Sequence, residues 1–233
     1  MRTVLVAEDE QSIRDFIVIN LKIAGFNVLE ATNGSQALKI YDEYTHEIDI
    51  AVLDVMMPEC DGYEVCRYIR KNNANVGIVF LTAKTQEHDK ITGFNCGADD
   101  YVSKPFSPSE LIVRIETLYR RVEYSKALLN SAYTDIIKLG EFSLDLKRHC
   151  VIKDSEEIEL TMTEFQILEC FFTNPGVSID RKLILDKVWG TPYYGDDKVV
   201  DVNIRRLRLK LETNPSEPRH LITVWGQGYS WKE

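Results

Sequence analysis

The sequence lacks the features of a membrane or secreted protein. Its 233 residues contain no apolar run near the roughly 20 residues of a membrane helix. An acidic pair, Glu8 and Asp9, interrupts the N-terminal region before a signal-peptide pattern develops. The five cysteines are scattered and form no CxxC pair, which argues against a disulfide framework and a structural zinc site. These absences predict a cytoplasmic protein.

Excess positive charge is also missing. Lys and Arg number 28 against 37 Asp and Glu, so the formal net charge is −9. This balance excludes a protein that coats nucleic acid with its whole surface, and any DNA contact must come from a local basic patch. The length suits two domains at roughly 100–200 residues each, and a hydrophobic content of 44% can fill their cores.

The first half alternates short apolar runs with amphipathic stretches. Strands are predicted at 3–7, 26–30, 49–53, 77–82 and 100–103, and helices at 11–24, 35–44, 62–71, 87–96 and 107–122. The runs IDIAVLD and VGIVFLTA are nearly continuously apolar, as in strands buried on both faces. Strand followed by helix, five times, predicts a doubly wound five-stranded parallel sheet of the flavodoxin type over residues 1–122.

The pattern changes after this domain. Small and polar residues over 123–136 predict a linker. Residues 137–144 and 150–160 predict antiparallel strands, followed by helices at 163–172, 181–189 and 198–212 and a hairpin around the Gly226–Gly228 turn. This order predicts a winged helix-turn-helix domain over 137–233.

The carboxyl ends of parallel strands meet at one edge of a sheet, where ligands bind. There the sequence places three carboxylates, one hydroxyl and one ammonium: Glu8, Asp9, Asp54, Thr82 and Lys104. Oxygen ligands suit Mg²⁺, and a carboxylate beside Mg²⁺ and an ammonium can attack a phosphoryl group to form an acyl phosphate. Alternatively, each acidic residue is only a solvated loop end.

The third helix of the second domain has a local basic excess. Within 198–210, five Lys and Arg accompany one Asp. An apolar stripe of Val200, Ile204, Leu207 and Leu211 is predicted to face the core and to leave the basic residues on the outer surface. Such a helix can lie in a DNA major groove, although a solvated amphipathic helix has the same pattern.

The segments VAEDE, LDVMMPECDG, FLTA and GADDYVSKPF resemble the receiver domain of bacterial two-component response regulators. The resemblance implies that Asp54 accepts a phosphoryl group from a sensor histidine kinase. Magnesium would be held by Asp9, Asp54 and the Met56 carbonyl, with Glu8 acting through water. Lys104, followed by a cis bond to Pro105, would hold the phosphoryl group. Thr82 and Tyr101 would form the switch pair: the Thr82 hydroxyl moves toward the phosphoryl group and the Tyr101 ring turns inward.

Met56 and Lys84 are expected beside the phosphoryl group. Because apolar Met56 positions no attacking water, we expect a long-lived aspartyl phosphate; alternatively, Met56 only packs the loop.

Polar residues repeat along one face of the predicted helix 107–122. Glu110, Arg114, Thr117 and Arg121 share this face, which by itself indicates only a solvated surface. In the OmpR/PhoB subfamily, residues at these spacings join two receivers in a symmetric dimer. The resemblance therefore implies three salt bridges between subunits: Lys90–Glu110, Asp100–Arg114 and Asp99–Arg121.

The segments LTMTEFQILECFF, SIDRKLILDKVWG, KVVDVNIRRLRLKLE and ITVWGQGYSW resemble the OmpR/PhoB effector domain. This resemblance implies a recognition helix over 198–211 and a 189–197 loop that contacts RNA polymerase. The residues implied nearest the DNA are Lys198, Asp201, Asn203, Arg205, Arg206 and Arg208. Trp225 stands in the hairpin where many members have an Arg that enters the minor groove, so its role is open between stacking on sugars and packing.

Together, these features predict a DNA-binding transcriptional regulator that is activated by phosphorylation of Asp54 and is not an enzyme. One alternative is a phosphorylation-independent regulator whose receiver only dimerises. The other is a phosphatase with an aspartyl intermediate. Against this alternative, Asp54 is followed by Val-Met-Met-Pro, with no second acid nearby to protonate a leaving group.

Overall fold

Apolar strands build a parallel sheet in the first half of the chain, in the order β2-β1-β3-β4-β5. Every residue of β1, β3 and β4 is buried, whereas the edge strand β2 is mostly half-buried. The strands are β1 (Thr3–Ala7), β2 (Asn27–Ala31), β3 (Ile48–Asp54), β4 (Gly77–Thr82) and β5 (Asp100–Ser103). The predicted parallel sheet is confirmed.

The computed structural model describes residues 2–83, 96–129, 136–191, 193 and 197–232. The chain divides into two compact units, 1–122 and 123–233. Among the described residues, no helix combines the length and the apolar character needed to cross a membrane.

Helices cover both faces of the sheet. Their bounds are α1 (Gln11–Ile23), α2 (Gly34–Glu43), α3 (Gly62–Asn72) and α4 (Pro108–Leu129). Helices α1 and α4 share one apolar cluster with alternate strand residues, and α2 and α3 contact each other and the strands β1 and β3. The doubly wound arrangement is therefore confirmed, while the helix predicted at 87–96 lies, except for Cys96, outside the described residues.

Helix α4 is longer than its pattern predicts. It begins after Ser107, whose hydroxyl accepts a hydrogen bond from the Glu110 amide at 3.1 Å, and continues to Leu129. The first residues of the predicted linker are therefore helical, because Glu, Lys, Ala and Leu in this stretch are good helix formers. Linker positions 130–135 lie outside the described residues.

The second unit begins with an antiparallel sheet of β6 (Ile136–Leu139), β7 (Phe142–Asp145), β8 (Cys150–Lys153) and β9 (Glu156–Glu159). The sequence predicted one strand each at 137–144 and 150–160, but each stretch is a hairpin. Both contain a left-handed turn, with φ values of 57° at Gly140, 50° at Asp154 and 70° at Ser155. Those backbone angles favour tight hairpin turns and divide each predicted strand.

Three helices and a hairpin complete this unit: α5 (Met162–Phe172), α6 (Arg181–Trp189), α7 (Lys198–Leu211), β10 (Leu221–Val224) and β11 (Gly228–Trp231). A capping box between Thr161 and Glu164 begins α5. Trp231 packs on Phe142 and Phe172, with ring centroids 5.1 and 4.9 Å away. The predicted winged helix-turn-helix outline is confirmed.

Candidate functional site

Three carboxylates meet at the carboxyl edge of the parallel sheet. Glu8 and Asp9 follow β1 and Asp54 ends β3, and one oxygen of each lies within 4.8 Å of the others. Glu8 and Asp54 are buried, whereas Asp9 is exposed. Three oxygen donors at this spacing, with one side open, fit a small divalent cation that keeps some of its water ligands.

Lys104 reaches this cluster from the end of β5. Its Nζ lies 2.7 Å from Glu8 Oε2 and 2.8 Å from Asp54 Oδ2, and its bond to Pro105 is cis, as the resemblance implied. Burial raises the pKa of Glu8 to about 7, and Asp54 adds to this rise while Lys104 opposes it. Burial also disfavours the charged form of Lys104, but Asp54 and Glu8 outweigh it and raise the pKa of that ammonium.

The backbone orients the Asp54 carboxylate. Its Oδ1 accepts a hydrogen bond from the Met56 amide at 3.2 Å, while the Met56 side chain is 60% exposed. Helix α3 begins close by, and a Cβ on Gly62 would lie 2.2 Å from the Asp54 carbonyl oxygen. Only glycine permits this approach of α3 to the Asp54 backbone.

Two further predicted residues lie near this edge. Thr82 ends β4 and is buried, and its carbonyl oxygen accepts a hydrogen bond from the Lys104 amide at 2.8 Å. Tyr101 is buried in β5, with its ring 5.3 Å from Phe80. Predicted Lys84 lies outside the described residues.

Sequence reasoning missed Arg14, which holds the acidic loop. Its guanidinium donates to the Glu8 carbonyl oxygen at 2.8 Å and lies 3.4 Å from that of Asp9. The sequence feature that could have predicted this contact is an Arg in the first turn of the helix that follows the acidic pair.

The polar face predicted for α4 is partly buried. Arg114 is 6% exposed and binds both Asp100 oxygens at 3.0 and 2.9 Å and Glu110 at 2.9 Å, all within one chain. Arg121 is 5% exposed. The interpretation of these two arginines as a solvated surface is therefore wrong, because Arg114 is enclosed with carboxylates of its own chain. Predicted Lys90 lies outside the described residues.

Asp99, predicted to pair with Arg121 of a second subunit, has a partner in its own chain. It is 1% exposed, and its Oδ2 accepts hydrogen bonds from Arg70 at 2.6 Å and from the Ile78 amide at 2.8 Å. Arg70 lies on α3, and no local pattern pointed to this pair. The structure therefore assigns Asp99 to the interior of the N-terminal unit.

Helix α7 buries its predicted apolar stripe. Val200, Ile204, Leu207 and Leu211 are each at most 2% exposed, so this prediction is confirmed. Lys198 and Arg205 are exposed, as a DNA-facing surface requires.

Asn203 and Arg206 are buried on α7, contrary to the prediction that they face DNA. Asn203 donates to the Val199 carbonyl oxygen at 2.8 Å and accepts from Arg206 at 3.1 Å. Arg206 is close enough to buried Glu164 to lower its pKa. Both residues therefore belong to the interior of the unit, because a carboxylate on α5 attracts Arg206 inward.

Asp201 and Arg208 connect α7 to its neighbours. Asp201 Oδ1 accepts hydrogen bonds from Arg181 Nε at 2.7 Å and from the Tyr229 hydroxyl at 2.6 Å. Arg208 donates to the Leu221 carbonyl oxygen at 2.8 Å and to Thr223 Oγ1 at 2.9 Å. These two side chains position the helix against α6 and the hairpin.

Comparison with known proteins finds one family match within each of the two units. Residues 4–116 match the family described as response regulator receiver domain, and residues 155–231 match the family described as transcriptional regulatory protein, C terminal. A probable transcriptional regulator ycf27 of Cyanidium caldarium is 43% identical over 97% of this chain and 92% of its own. Sensory transduction protein RegX3 of Mycobacterium bovis is 38% identical over 98% of both chains.

Two solved structures cover the full length of this chain and of their own. A RitR mutant has a TM-score of 0.80 at 21% identity, which shows the shared fold. Response regulator DrrB, described as a Thermotoga maritima OmpR/PhoB homolog, has a TM-score of 0.50 at 29% identity.

These relatives are transcriptional regulators rather than enzymes. The similarity to RegX3 and to the ycf27 protein extends over almost the whole chain, well above 30% identity. With a receiver unit followed by a DNA-binding unit, the chain belongs to the OmpR/PhoB family of two-component response regulators.

Proposed function

We propose that this chain is a phosphorylation-activated transcriptional regulator. Asp54 accepts a phosphoryl group from a sensor histidine kinase, two receivers then associate, and the effector domains bind promoter DNA. The observation that carries this proposal is the convergence of Asp54 with Glu8, Asp9 and Lys104 at one sheet edge. A carboxylate nucleophile, a place for a divalent cation and an ammonium are the groups that phosphoryl transfer to an acid requires.

The chemistry follows from the positions of these groups. Glu8, Asp9, Asp54 and the Met56 carbonyl would hold Mg²⁺, which when bound supplies positive charge to the phosphoryl oxygens. An Asp54 oxygen forms the bond to phosphorus while the phosphorus–nitrogen bond of the kinase phosphohistidine breaks, and the electron pair leaves with the imidazole. Lys104, which is already within 2.8 Å of Asp54, then binds a phosphoryl oxygen.

The switch pair, Thr82 and Tyr101, is proposed to carry the effect of phosphorylation to two adjacent strands. Thr82 and Tyr101 lie on β4 and β5, and the Thr82 backbone is hydrogen bonded to Lys104. We expect the Thr82 hydroxyl to donate to the phosphoryl group and the Tyr101 ring to follow it inward. Phosphorylation thereby favours one of two conformations of the receiver.

Phosphoryl transfer is tested by intact mass. Incubation of the full chain with acetyl phosphate and Mg²⁺ should add one phosphoryl group, and Asp54→Asn should add none because an amide is not a nucleophile of this kind. Asp15→Asn, a change of an α1 acid outside the site, is the matched control. Failure of the wild-type chain to gain this mass would contradict the proposal.

Association of receivers is proposed to use Asp100, Glu110 and Arg114. Arg114 is bonded to both acids within one chain, and a bridge between subunits would use either one of these bonds or another donor of its guanidinium. Two tethered effector domains would then bind paired sites at a raised effective concentration.

Arg114→Ala should weaken dimerisation of the beryllofluoride-activated chain by about tenfold or more, because a close charge pair across an interface is removed. Light scattering after gel filtration measures the dimer, and circular dichroism checks the fold. Glu116→Ala, an exposed change on the same helix, should dimerise like the wild type. If the Arg114 variant dimerises as strongly as the wild type, Arg114 is not part of the dimer interface.

DNA contact is proposed for the exposed residues Lys198 and Arg205, with phosphate or guanine as their partners. The predicted RNA polymerase contact is the 189–197 loop, of which positions 192 and 194–196 lie outside the described residues. With promoter DNA and the polymerase as proposed partners, the proposed location of the protein is the cytoplasm. Footprinting with and without beryllofluoride tests promoter binding.

A further inference from the structure

Two cysteines that are far apart in the sequence lie side by side in the N-terminal unit. Cys66 lies on α3 and is fully buried, and Cys96 lies in the turn before β5 and is half-buried. The Cys66 thiol donates a hydrogen bond to the Cys96 carbonyl oxygen at 3.2 Å. We propose that these two thiols form an intramolecular disulfide when the protein meets a peroxide. The proposal uses no residue of the acidic edge and does not depend on the function proposed above.

The contact between the two residues brings their sulfur atoms within reach of each other. A carbonyl oxygen lies about 2.4 Å from the Cα of its own residue, so Cys66 Sγ lies at most about 5.6 Å from the Cys96 Cα. Rotation about the Cys96 Cα–Cβ bond moves its sulfur while the backbone stays in place. The fold thus holds the pair at the range over which a disulfide forms.

A neighbouring set of contacts fixes the turn of Cys96 against α3. Arg70, one helical turn after Cys66, donates to the Gly97 carbonyl oxygen at 2.7 Å and to the Asp99 carboxylate at 2.6 Å. Gly97 lies so close to this side chain that a Cβ would be 2.8 Å from Arg70 Cγ. Because both thiols belong to elements that are joined in this way, each meets the other at a high effective concentration.

Cys96 has a cation at its sulfur atom. The Arg67 guanidinium donates to Cys96 Sγ at 3.3 Å. The thiolate is the form of cysteine that attacks a peroxide, and reactive cysteines lie beside cationic groups at partly exposed positions. Cys96 therefore suits the first attack. Cys66 is fully buried, so it meets the oxidised sulfur of Cys96 rather than the peroxide itself.

The other three cysteines are less suited to this reaction. Burial, together with Glu64, raises the pKa of Cys60 to about 11. Burial also raises the pKa of Cys150 to about 12, and it raises that of Cys170 as well. A thiol that stays protonated is a poor nucleophile. We therefore expect oxidation to be selective for the pair of Cys66 and Cys96.

With hydrogen peroxide as the oxidant, the reaction has two steps. First, the Cys96 sulfur attacks one oxygen: the S–O bond forms, the O–O bond breaks, and the other oxygen leaves as water with the thiol proton. The product is a sulfenic acid. Second, the Cys66 sulfur attacks the Cys96 sulfur: the S–S bond forms, the S–O bond breaks, and the hydroxyl group leaves as water with the Cys66 proton. Two thiols lose two electrons, and one peroxide is reduced to two waters.

A bond at this place would tie α3 to the start of β5. The loop that it closes contains β4, which ends at Thr82, and Tyr101 follows closely in β5. A cross-link removes conformational freedom from the segment that it closes. We therefore expect oxidation to restrain β4 and β5, and cellular thiols to reverse this restraint by reducing the bond.

The test treats the folded, reduced full chain with hydrogen peroxide and then alkylates it in denaturant. The oxidised chain should carry three alkyl groups rather than five, and dithiothreitol should restore all five. Cleavage after glutamate separates Cys60, Cys66 and Cys96, because Glu64 and Glu87 lie between them. The linked peptides should contain Cys66 and Cys96.

Variants separate the roles of the residues. Cys96→Ser should keep all of its four thiols, and Cys66→Ser should stop at a sulfenic acid on Cys96 that dimedone traps. Arg67→Gln should oxidise several-fold more slowly, because the cation at the sulfur is removed. Cys60→Ser, a change at a half-buried cysteine of the same unit, is the matched control and should lose two thiols as the wild type does. Circular dichroism checks the fold of each variant.

Three results would overturn the proposal: five alkyl groups after peroxide, a bond from Cys60 to either member of the pair, or a bond between two chains. Oxidation of the urea-unfolded chain to the same bond at the same rate would also overturn it, because the fold would then play no part. An unchanged rate for Arg67→Gln would remove the role assigned to this arginine. Hydrogen exchange at the β5 amides should be slower in the oxidised chain, and equal exchange would contradict the restraint.

Discussion

Replacing Arg70 with leucine should destabilise the N-terminal unit by about 3–5 kcal/mol, the usual cost of leaving a buried charge without its partner. Arg70 Nε donates to the Gly97 carbonyl oxygen at 2.7 Å, and its guanidinium also bonds the carbonyl oxygen of Val76 and the Asp99 carboxylate. Asp99 is 1% exposed, so water cannot replace the lost cation. A domain has only about 5–15 kcal/mol of stability, so this loss is large.

Hydrogen exchange at the β4 and β5 amides measures this effect in the full chain. Tryptophan fluorescence is unsuitable because all three tryptophans lie in the second unit. Arg67→Leu, a change at an exposed arginine of the same helix, should cost less than about 1 kcal/mol. Similar exchange in both variants would show that Asp99 does not need Arg70.

Glu164→Ala should destabilise the second unit by a comparable amount, about 3–5 kcal/mol. The Glu164 carboxylate is 2% exposed in its side chain, lies 2.7 Å from Lys210 Nζ and accepts a hydrogen bond from the Thr161 amide at 2.9 Å. Its removal ends the capping box of α5 and takes away the buried carboxylate whose pKa Arg206 and Lys210 lower.

Urea unfolding followed by tryptophan fluorescence measures this loss, because the signal comes from the second unit alone. Glu169→Ala on the same helix is the control, since Glu169 is half-buried and burial, opposed by Lys187, raises the pKa of its carboxyl. Equal midpoints for both variants would contradict the prediction.

The same carboxylate should make the stability of the second unit depend on pH. Burial disfavours the Glu164 anion, but Lys210 and Arg206 outweigh it and hold the pKa below the ordinary value of 4.5. Because the folded pKa is lower than the unfolded pKa, the stabilising contribution is full above the unfolded value. It is lost as pH falls from about 4.5 through the lower folded pKa.

Glu164→Gln should flatten this dependence, because glutamine does not titrate. Urea midpoints of both chains across the acidic range measure the difference. Parallel curves for the variant and the wild type would show that other groups cause the pH dependence.

Local patterns in the sequence were sufficient for the sheet and for the acidic edge. Apolar runs predicted strands buried on both faces, and the alternation of strand and helix predicted their parallel order. That order alone brings the end of β1, with Glu8 and Asp9, beside the end of β3, with Asp54. The physical reason is that the carboxyl ends of parallel strands lie at one edge of the sheet, and this placement does not depend on the packing of the other elements.

Only the tertiary structure decided the environment of the buried polar side chains. A polar stripe on a helix indicates solvent, yet Arg114 and Arg206 are enclosed, as is Asp99 before β5. The partner of Asp99 lies 29 residues away on another element, and the acid that attracts Arg206 lies on α5. Helical periodicity shows which residues share a face, but which face a neighbour covers depends on long-range packing, because a buried charge is stable only where its partner meets it.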